Sequence, residues 1–340
     1  HTVAPMYGFF TWQQDVRYNY GRTNKLNDDA TLKTLYTRIN HVNNIVDLID
    51  DMPHATEEDA ALYHRVKGEA LFARSQFYFA LANLYGRPYR LDSAAVDLCV
   101  PLKLTSYVEH NKDQETQFSR ATNAEVYAQV AKDLETAASE LTTAPQPDRF
   151  RLHRASAEAA NLLLSRVYLY MQRWSDAEKA ARRVVESPRA KLATIASLQG
   201  GQPFLTRNNA EILFTQGANH LAASDRNTSL TGAPADYCVS RELYELYSSF
   251  DARRNAFFST NSLSDSLGLA NKYERTTEAN HISDGFTLRT AEAYLNLAEA
   301  LAMQGKDAEA NTVLHKLQSQ RIDEDLMDFT GEELVNEIRN

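Results

Sequence analysis

From Ala30 to Asp51 the apolar residues Leu32, Leu35, Tyr36, Ile39, Val42, Val46 and Ile49 recur at helical spacing, which gathers them on one face of a helix several turns long. Pro53 interrupts the pattern. It resumes from about Glu57 through Ala70, Phe72, Ala73, Phe77, Leu81 and Leu84 to Tyr85, where Gly86 and Pro88 stop it. The two segments predict a helical hairpin over 30–85. A second helical block is predicted over 122–186. It opens at Thr122 or Asn123 as cap, with Glu125 in the first turn and Val126, Val130, Leu134 and Leu141 on one face. After Pro145 and Pro147 it continues as a hairpin, Ala155–Met171 and Ser175–Glu186, with Trp174 read as a core-packing residue. A third hairpin is expected over Leu288–Arg321: Ala293, Leu297, Ala300 and Leu301 stripe one helix, Gly305 opens the turn, and Ala310, Leu314 and Leu317 stripe the next. Gly331–Asn340 starts a further helix.

The second and third blocks resemble each other. Placing Ala177 on Ala310 also brings Leu162 onto Leu295, Leu164 onto Leu297, Ser165 onto Ala298 and Tyr168 onto Leu301, as a degenerate tetratricopeptide-like repeat would. Small residues in these stripes let helix backbones approach closely. The fold class expected is therefore mainly α, built of tetratricopeptide-like hairpins with little β.

Three stretches lack any period and are read as loop-rich: 1–29, 86–120 and 187–287. Connections of this length in a compact helical protein are covering loops or insertions, and binding residues concentrate on such loops. Within the third, Ala210–Gln216 reads as one short strand and Ser240–Phe250 as a short amphipathic helix. The first is crowded with rings: Tyr7, Phe9, Phe10, Trp12, Tyr18 and Tyr20.

Charge narrows the partners. The 340 residues carry a net charge of −9, with Lys and Arg interleaved among Asp and Glu, so nothing attracts a phosphate backbone and no nucleic-acid partner is expected. No apolar run of about 18 residues is present, the length a membrane-spanning helix needs. The two cysteines, Cys99 and Cys238, have no metal-type spacing and fit either two free thiols or one disulfide, free thiols being the preferred reading.

Catalytic chemistry has little to stand on. No two of the nine histidines stand three or four apart, so no helix offers a paired metal face. Phosphate loops and nucleophile elbows are absent. The adjacent carboxylates Asp28/Asp29, Asp50/Asp51, Glu57/Glu58 and Glu332/Glu333 each flank a helix end, where capping and the helix dipole account for them better than the paired acids of a glycosidase. Asp323, Asp325 and Asp328 lack the glycine and ligand series of a calcium loop. The expectation is no enzyme, no metal and no cofactor. Trp12, Tyr18 and Tyr20 offer flat apolar faces with polar tips, suited to stacking on sugar rings or gripping peptide side chains, with Asp15, Asn19 and Arg22 as hydrogen-bonding neighbours; pinning of an irregular segment onto the helices explains the same rings about equally well.

Six segments in order resemble the SusD/RagB family of outer-membrane nutrient-binding lipoproteins: KGEALFARSQFYFALANLYGRPY at 67–89, FSRATNAEVYAQVAKDLETAASEL at 118–141, RASAEAANLLLSRVYLYMQRWSDAEKAARRVV at 154–185, AEILF at 210–214, SRELYELYSSFDARR at 240–254 and LRTAEAYLNLAEAL at 288–301. The resemblance implies one SusD-like α-α superhelical domain over 1–340, incomplete at both ends. It implies a non-enzymatic, lipid-anchored protein on the extracellular face of the outer membrane, the anchoring cysteine lying outside this chain. Its partner would be a SusC-like, TonB-dependent transporter and its ligand an oligosaccharide, or a peptide as in RagB-like members. An intracellular tetratricopeptide scaffold would need regular repeats of about 34 residues, which the long insertions break. The family places its ligand site on loops, which points here to Trp12, Tyr18, Tyr20 and Arg22, then to His220, Asp225, Arg226 and Tyr237.

Overall fold

The computed structural model describes residues 28–106, 119–147, 152–199, 204, 206, 209–218, 239–259, 269–270, 272 and 284–340. In chain order its elements are α1 (Asp28–Leu48, continued by a 3-10 turn, Ile49–Asp51), α2 (Glu57–Tyr85), α3 (Asn123–Thr143), α4 (Ala157–Tyr170), α5 (Trp174–Val185), α6 (Ile195–Leu198), β1 (Ile212–Ala218), α7 (Arg241–Glu245), α8 (Ala252–Phe257), β2 (Phe258–Ser259), β3 (Leu269–Ala270), β4 (Asp284–Arg289), α9 (Thr290–Ala302), α10 (Asp307–Gln318) and α11 (Gly331–Arg339). The protein is mainly helical, as its periodicity predicts.

Helix starts follow local chemistry. Thr56 caps α2 by accepting from the Asp59 amide, with Glu57, Glu58 and Asp59 in the first turn against the helix dipole. Thr122, not Asn123, caps α3 in a capping box: Glu125 N–H donates to the Thr122 hydroxyl at 3.2 Å, and Thr122 N–H donates to the Glu125 carboxylate at 2.7 Å. The Thr122 N–H, with the Thr122 hydroxyl donating at 2.9 Å, holds the Glu125 carboxyl below its ordinary range. Ser156 caps α4 in the same manner as Thr56 caps α2.

From α1 to α5 each helix packs on the next, and α5 packs on α9, which then carries α10 and α11. One core cluster fills the stack from α1 to α5 around Phe72, Tyr78, Leu81, Tyr127, Leu134 and Leu163. A second lies between α5, α9, α10 and α11, around Ala181, Leu297, Leu301, Leu314 and Ile338. Gly68 marks a close crossing of α2 and α3, where a Cβ would stand 2.7 Å from Leu141 Cγ and 3.2 Å from the Ala137 carbonyl. Trp174 does not pack in the core as expected: at the first position of α5, on the outside of the hairpin turn, it is half-buried, and Ala177, Ala180, Ala181 and Val184 bury the helix instead.

The repeat is visible in the turns. Arg173 N–H donates to the Tyr168 carbonyl and Gln172 N–H to the Leu169 carbonyl; at the same offset Lys306 N–H donates to Leu301 and Gly305 N–H to Ala302. Both are Schellman closures with a left-handed residue, Gln172 at φ 55 and Gly305 at φ 71. Ser165 and Ala298, superposed from sequence, are both fully buried. Asn296 Nδ2 donates to Ser165 Oγ at 2.9 Å, and Arg166 forms a two-point ion pair with Glu292 at 2.6 and 2.7 Å, joining α4 to α9. Glu178 of α5 accepts from Arg182, Lys306 and Gln304 at 2.7–2.9 Å, and these donors lower its carboxyl to about 2.

Residues 86–106 are irregular, as their lack of period implies, but they are a strap and not a free loop. Tyr36 and Tyr78 donate their hydroxyls to the Pro101 and Lys103 carbonyls, both at 2.7 Å, and Asn43 Nδ2 donates to the Lys103 carbonyl. Beneath the strap Arg74 meets Asp133 in a buried, two-point ion pair at 2.7 and 2.8 Å, and its third nitrogen reaches Asn43 and the Leu104 carbonyl. Cys99 is buried with a free thiol, which burial pushes above its usual range; Cys238 lies outside the described residues.

Candidate functional site

Between α5 and α9 the chain makes an excursion of about a hundred residues, a length far beyond an ordinary helix connection. Its base is an antiparallel pair, β1 on β4, with Phe214 opposite Leu288 and Thr215 opposite Thr287. The strand expected at Ala210–Gln216 is present at Ile212–Ala218. Its partner corrects the third hairpin: Leu288 and Arg289 end β4, and α9 begins only at Thr290, because Thr290 N–H donates to the Glu211 carbonyl while the extended Arg289 occupies the cap position. The amphipathic helix expected over Ser240–Phe250 is also shorter. Only Arg241–Glu245 is helical, capped by Ser240, with none of its residues buried; too little apolar surface is covered there to hold another turn.

A buried charge cluster ties the excursion to the scaffold. Glu211, fully buried, accepts from Arg321, from Arg289 at 3.3 Å and from Ala193 N–H at 3.0 Å. Arg321 also donates to the Ala193 carbonyl. Burial pulls the Arg321 guanidinium down to about 10, still far above neutrality, so the pair is ionic.

Above this cluster sits a group of rings faced by cations. Phe204 packs on Phe257 with centroids 4.9 Å apart, Tyr247 lies against Phe257 and Phe258, and Tyr244 against Phe258. Arg289 stands 5.3 Å and Arg321 6.0 Å from the Phe204 centroid, Lys272 4.6 Å from Phe257, Arg253 4.9 Å from Tyr247 and Arg254 4.5 Å from Tyr244. The short β2–β3 pair sets Phe258 opposite Ala270 and so brings Lys272 back beside Phe257. Arg253 is paired with Asp251 at 2.7 Å. Lys272 is drawn down to about 8 by burial and by the neighbouring Arg289 and Arg253. A cavity of about 330 Å³ opens next to Phe204, lined also by Leu198, Thr194, Ser197, Thr206 and Asn209.

A larger cleft, about 990 Å³, lies among α3, α4 and α5. Its polar groups largely engage one another: Glu135 accepts from Tyr168, Glu158 from Ser187 at 2.8 Å, and Arg189 donates to the Gln146 carbonyl at 3.2 Å. It is part of the helical stack, and the excursion is the better candidate for a ligand site.

All eight residues predicted from sequence, Trp12, Tyr18, Tyr20, Arg22, His220, Asp225, Arg226 and Tyr237, lie outside the described residues. The ring-and-cation group, whose rings lie within 187–287 and whose cations extend to Arg289 and Arg321, was missed by that prediction. Its signal was present in YELYSSFDARRNAFF at 244–258, where aromatic and arginine residues alternate in a stretch too polar for a core helix. Among the described residues no group of three or more His, Cys, Asp or Glu side chains could hold a metal ion, and no helix is long and apolar enough to cross a membrane.

Residues 4–169 match the SusD-like family model described as starch-binding associating with outer membrane. A SusD superfamily protein from Bacteroides thetaiotaomicron superposes with a TM-score of 0.75 at 25% identity, covering 93% of this chain and 71% of that one. The fold of this chain is SusD-like. Two Bacteroides vulgatus structures share the fold: a putative sugar binding protein (TM-score 0.74, 24% identity, 95% of this chain and 72% of that one) and a SusD-like carbohydrate binding protein (0.73, 22%, 91% and 65%). The SusD-like chain thus spans roughly two thirds to seven tenths of these structures. No curated protein matches it. The chain shares the helical stack's fold with these structures.

Proposed function

We propose that this SusD-like protein captures an oligosaccharide at the outer membrane and passes it, chemically unchanged, to a TonB-dependent transporter. The observation that carries the reading is the family match over 4–169, whose description joins starch binding to the outer membrane. A fold relative described as carbohydrate binding supports it. The architecture suits such a role, because a rigid helical stack, tied by the Arg74–Asp133, Arg166–Glu292 and Glu178 ion pairs, presents a long excursion rich in aromatic residues. Binding without conversion asks for stacking faces and hydrogen bonds, not for a nucleophile or paired acids. Trp12, Tyr18, Tyr20 and Arg22 remain the proposed stacking platform, with His220, Asp225, Arg226 and Tyr237 as further contacts.

Titration calorimetry against a panel of starch, β-glucan and pectic oligosaccharides tests the reading, with product analysis on the same mixtures. Saturable binding of one class without released sugar is expected. A chain that binds peptides from a protein digest and none of the glycans would overturn it. Co-purification of the full-length protein with a β-barrel transporter from native outer membranes tests the delivery step.

A further inference from the structure

The excursion concentrates positive charge in a protein whose net charge is −9. Five cations, Arg253, Arg254, Lys272, Arg289 and Arg321, face its rings, and two carboxylates, Asp251 and Glu211, answer them. Arg253 is paired with Asp251, and Arg289 and Arg321 with Glu211. Among the described residues Lys272 and Arg254 have a ring beneath them and no carboxylate. The distinction matters physically. A carboxylate neutralises the cation it holds, whereas a ring face fixes its position and leaves its charge available to a third group. Lys272 is held on Phe257, itself buried and wedged between Phe204 and Tyr247, so the ammonium is positioned by a rigid base. Burial, with the like charges of Arg289 and Arg253, disfavours the ammonium until an anion arrives.

We infer that Lys272 on Phe257 forms a subsite for the acid group of an anionic saccharide, a uronate carboxylate or a sugar sulfate, with Arg254, on Tyr244 of the same ring cluster, as a second cation along the bound chain. The inference rests on the glycan-binding reading above and narrows its ligand class. An acidic chain approaching a protein of net negative charge is repelled over most of the surface. A cationic subsite beside aromatic residues offsets that repulsion and selects acidic over neutral sugars.

The test is calorimetry on the full chain with three probes: a galacturonate tetramer, a sulfated galactan oligosaccharide, and the methyl-esterified galacturonate tetramer as the neutral counterpart. One acidic probe is expected to bind at least tenfold more tightly than the neutral counterpart and to weaken as salt is raised. Lys272→Met should reduce that affinity roughly tenfold with its melting curve unchanged, Lys272→Arg should retain most of it, and Arg254→Gln should cause a smaller loss. Which acidic probe binds separates carboxylate from sulfate. If neutral oligosaccharides bind and neither acidic probe is preferred, the subsite is wrong while the glycan-binding reading stands. If acidic binding is indifferent to both Lys272→Met and Arg254→Gln, the location is wrong. If no glycan binds at all, the functional reading fails and takes this inference with it.

Discussion

Replacing Glu211 by Ala should be among the most damaging single changes to this protein. The carboxylate is fully buried and faces two guanidinium groups, one of which, Arg321, is itself only 5% exposed. Its removal leaves the Arg321 charge without its partner inside the protein, a loss of about 3–5 kcal/mol, and it also strands Ala193 N–H, at about 1–2 kcal/mol more. Water entering the space recovers part of both losses, so about 4 kcal/mol in total is expected. With a urea dependence of roughly 3 kcal/mol/M, the unfolding midpoint should fall by a little over 1 M. The double variant Glu211→Leu, Arg321→Met removes both charges and should regain at least half of the loss, because two apolar side chains have no desolvation penalty to offset. Circular dichroism in urea reads both, and hydrogen exchange across 189–199 and 209–218 localises the effect. A single variant that loses under about 1 kcal/mol, or a double variant no better than the single, would refute the reasoning that Glu211 and Arg321 act as a buried ion pair.

Other substitutions probe the turns, the helix crossing and the acid limit of stability. Gln172→Gly should stabilise the protein by about 0.5–1 kcal/mol and Gly305→Ala should destabilise it by about 1 kcal/mol, since both positions are left-handed and only glycine occupies that region without strain; thermal midpoints of the two variants moving in the same direction would contradict the shared turn geometry. Gly68→Ala should lower stability by about 1–2 kcal/mol despite alanine's better helix propensity, because the added carbon meets Leu141 and the Ala137 carbonyl; an unchanged midpoint would mean α2 and α3 are not in contact there. Glu178 has a folded value near 2 against an ordinary value of 4.5, so its contribution is present above about pH 4.5 and is lost as pH falls towards 2; with Arg182 and Lys306 more than a third exposed, roughly 1–2 kcal/mol is expected, and Glu178→Gln should flatten the acid side of the stability profile by that amount.

How legible these features were in the sequence depended on how local their causes are. Helices α2, α3 and α4 carry their own caps and stripes, so Thr56, Thr122 and Ser156 start them where the pattern says they should. The repeat offset was readable in the stripes that place Ala177 on Ala310 and Tyr168 on Leu301, whereas of the two left-handed turn residues only Gly305 was legible and Gln172 was not. Nothing local distinguishes β4 from the start of a helix: Leu288 is apolar in either, and only pairing with Phe214 across the excursion decides. Trp174 misled because its position in the repeat suggests helix packing, while at the first position of α5 it stays half out. Arg74 and Glu211 stand among apolar residues in FARSQFYF and AEILF, which hints at buried charge, but Asp133 and Arg321 could be named as partners only from the fold. The ring-and-cation group joins residues from Phe204 to Arg321, and no window of sequence contains it.

The β1–β4 pair at the foot of the excursion also governs how the protein tolerates change. It fastens the ends of the intervening stretch to each other across about 65 residues, from Ala218 to Asp284, and for a flexible chain of that length closure would cost roughly 4 kcal/mol of entropy. That cost grows only with the logarithm of length: doubling the loop adds about 0.6 kcal/mol, less than a single lost helix cap. Insertions and deletions beyond the strand pair therefore leave the stacking of α5 on α9 nearly untouched. The scaffold can exchange one intervening segment for another of very different size while its own stability stays almost fixed.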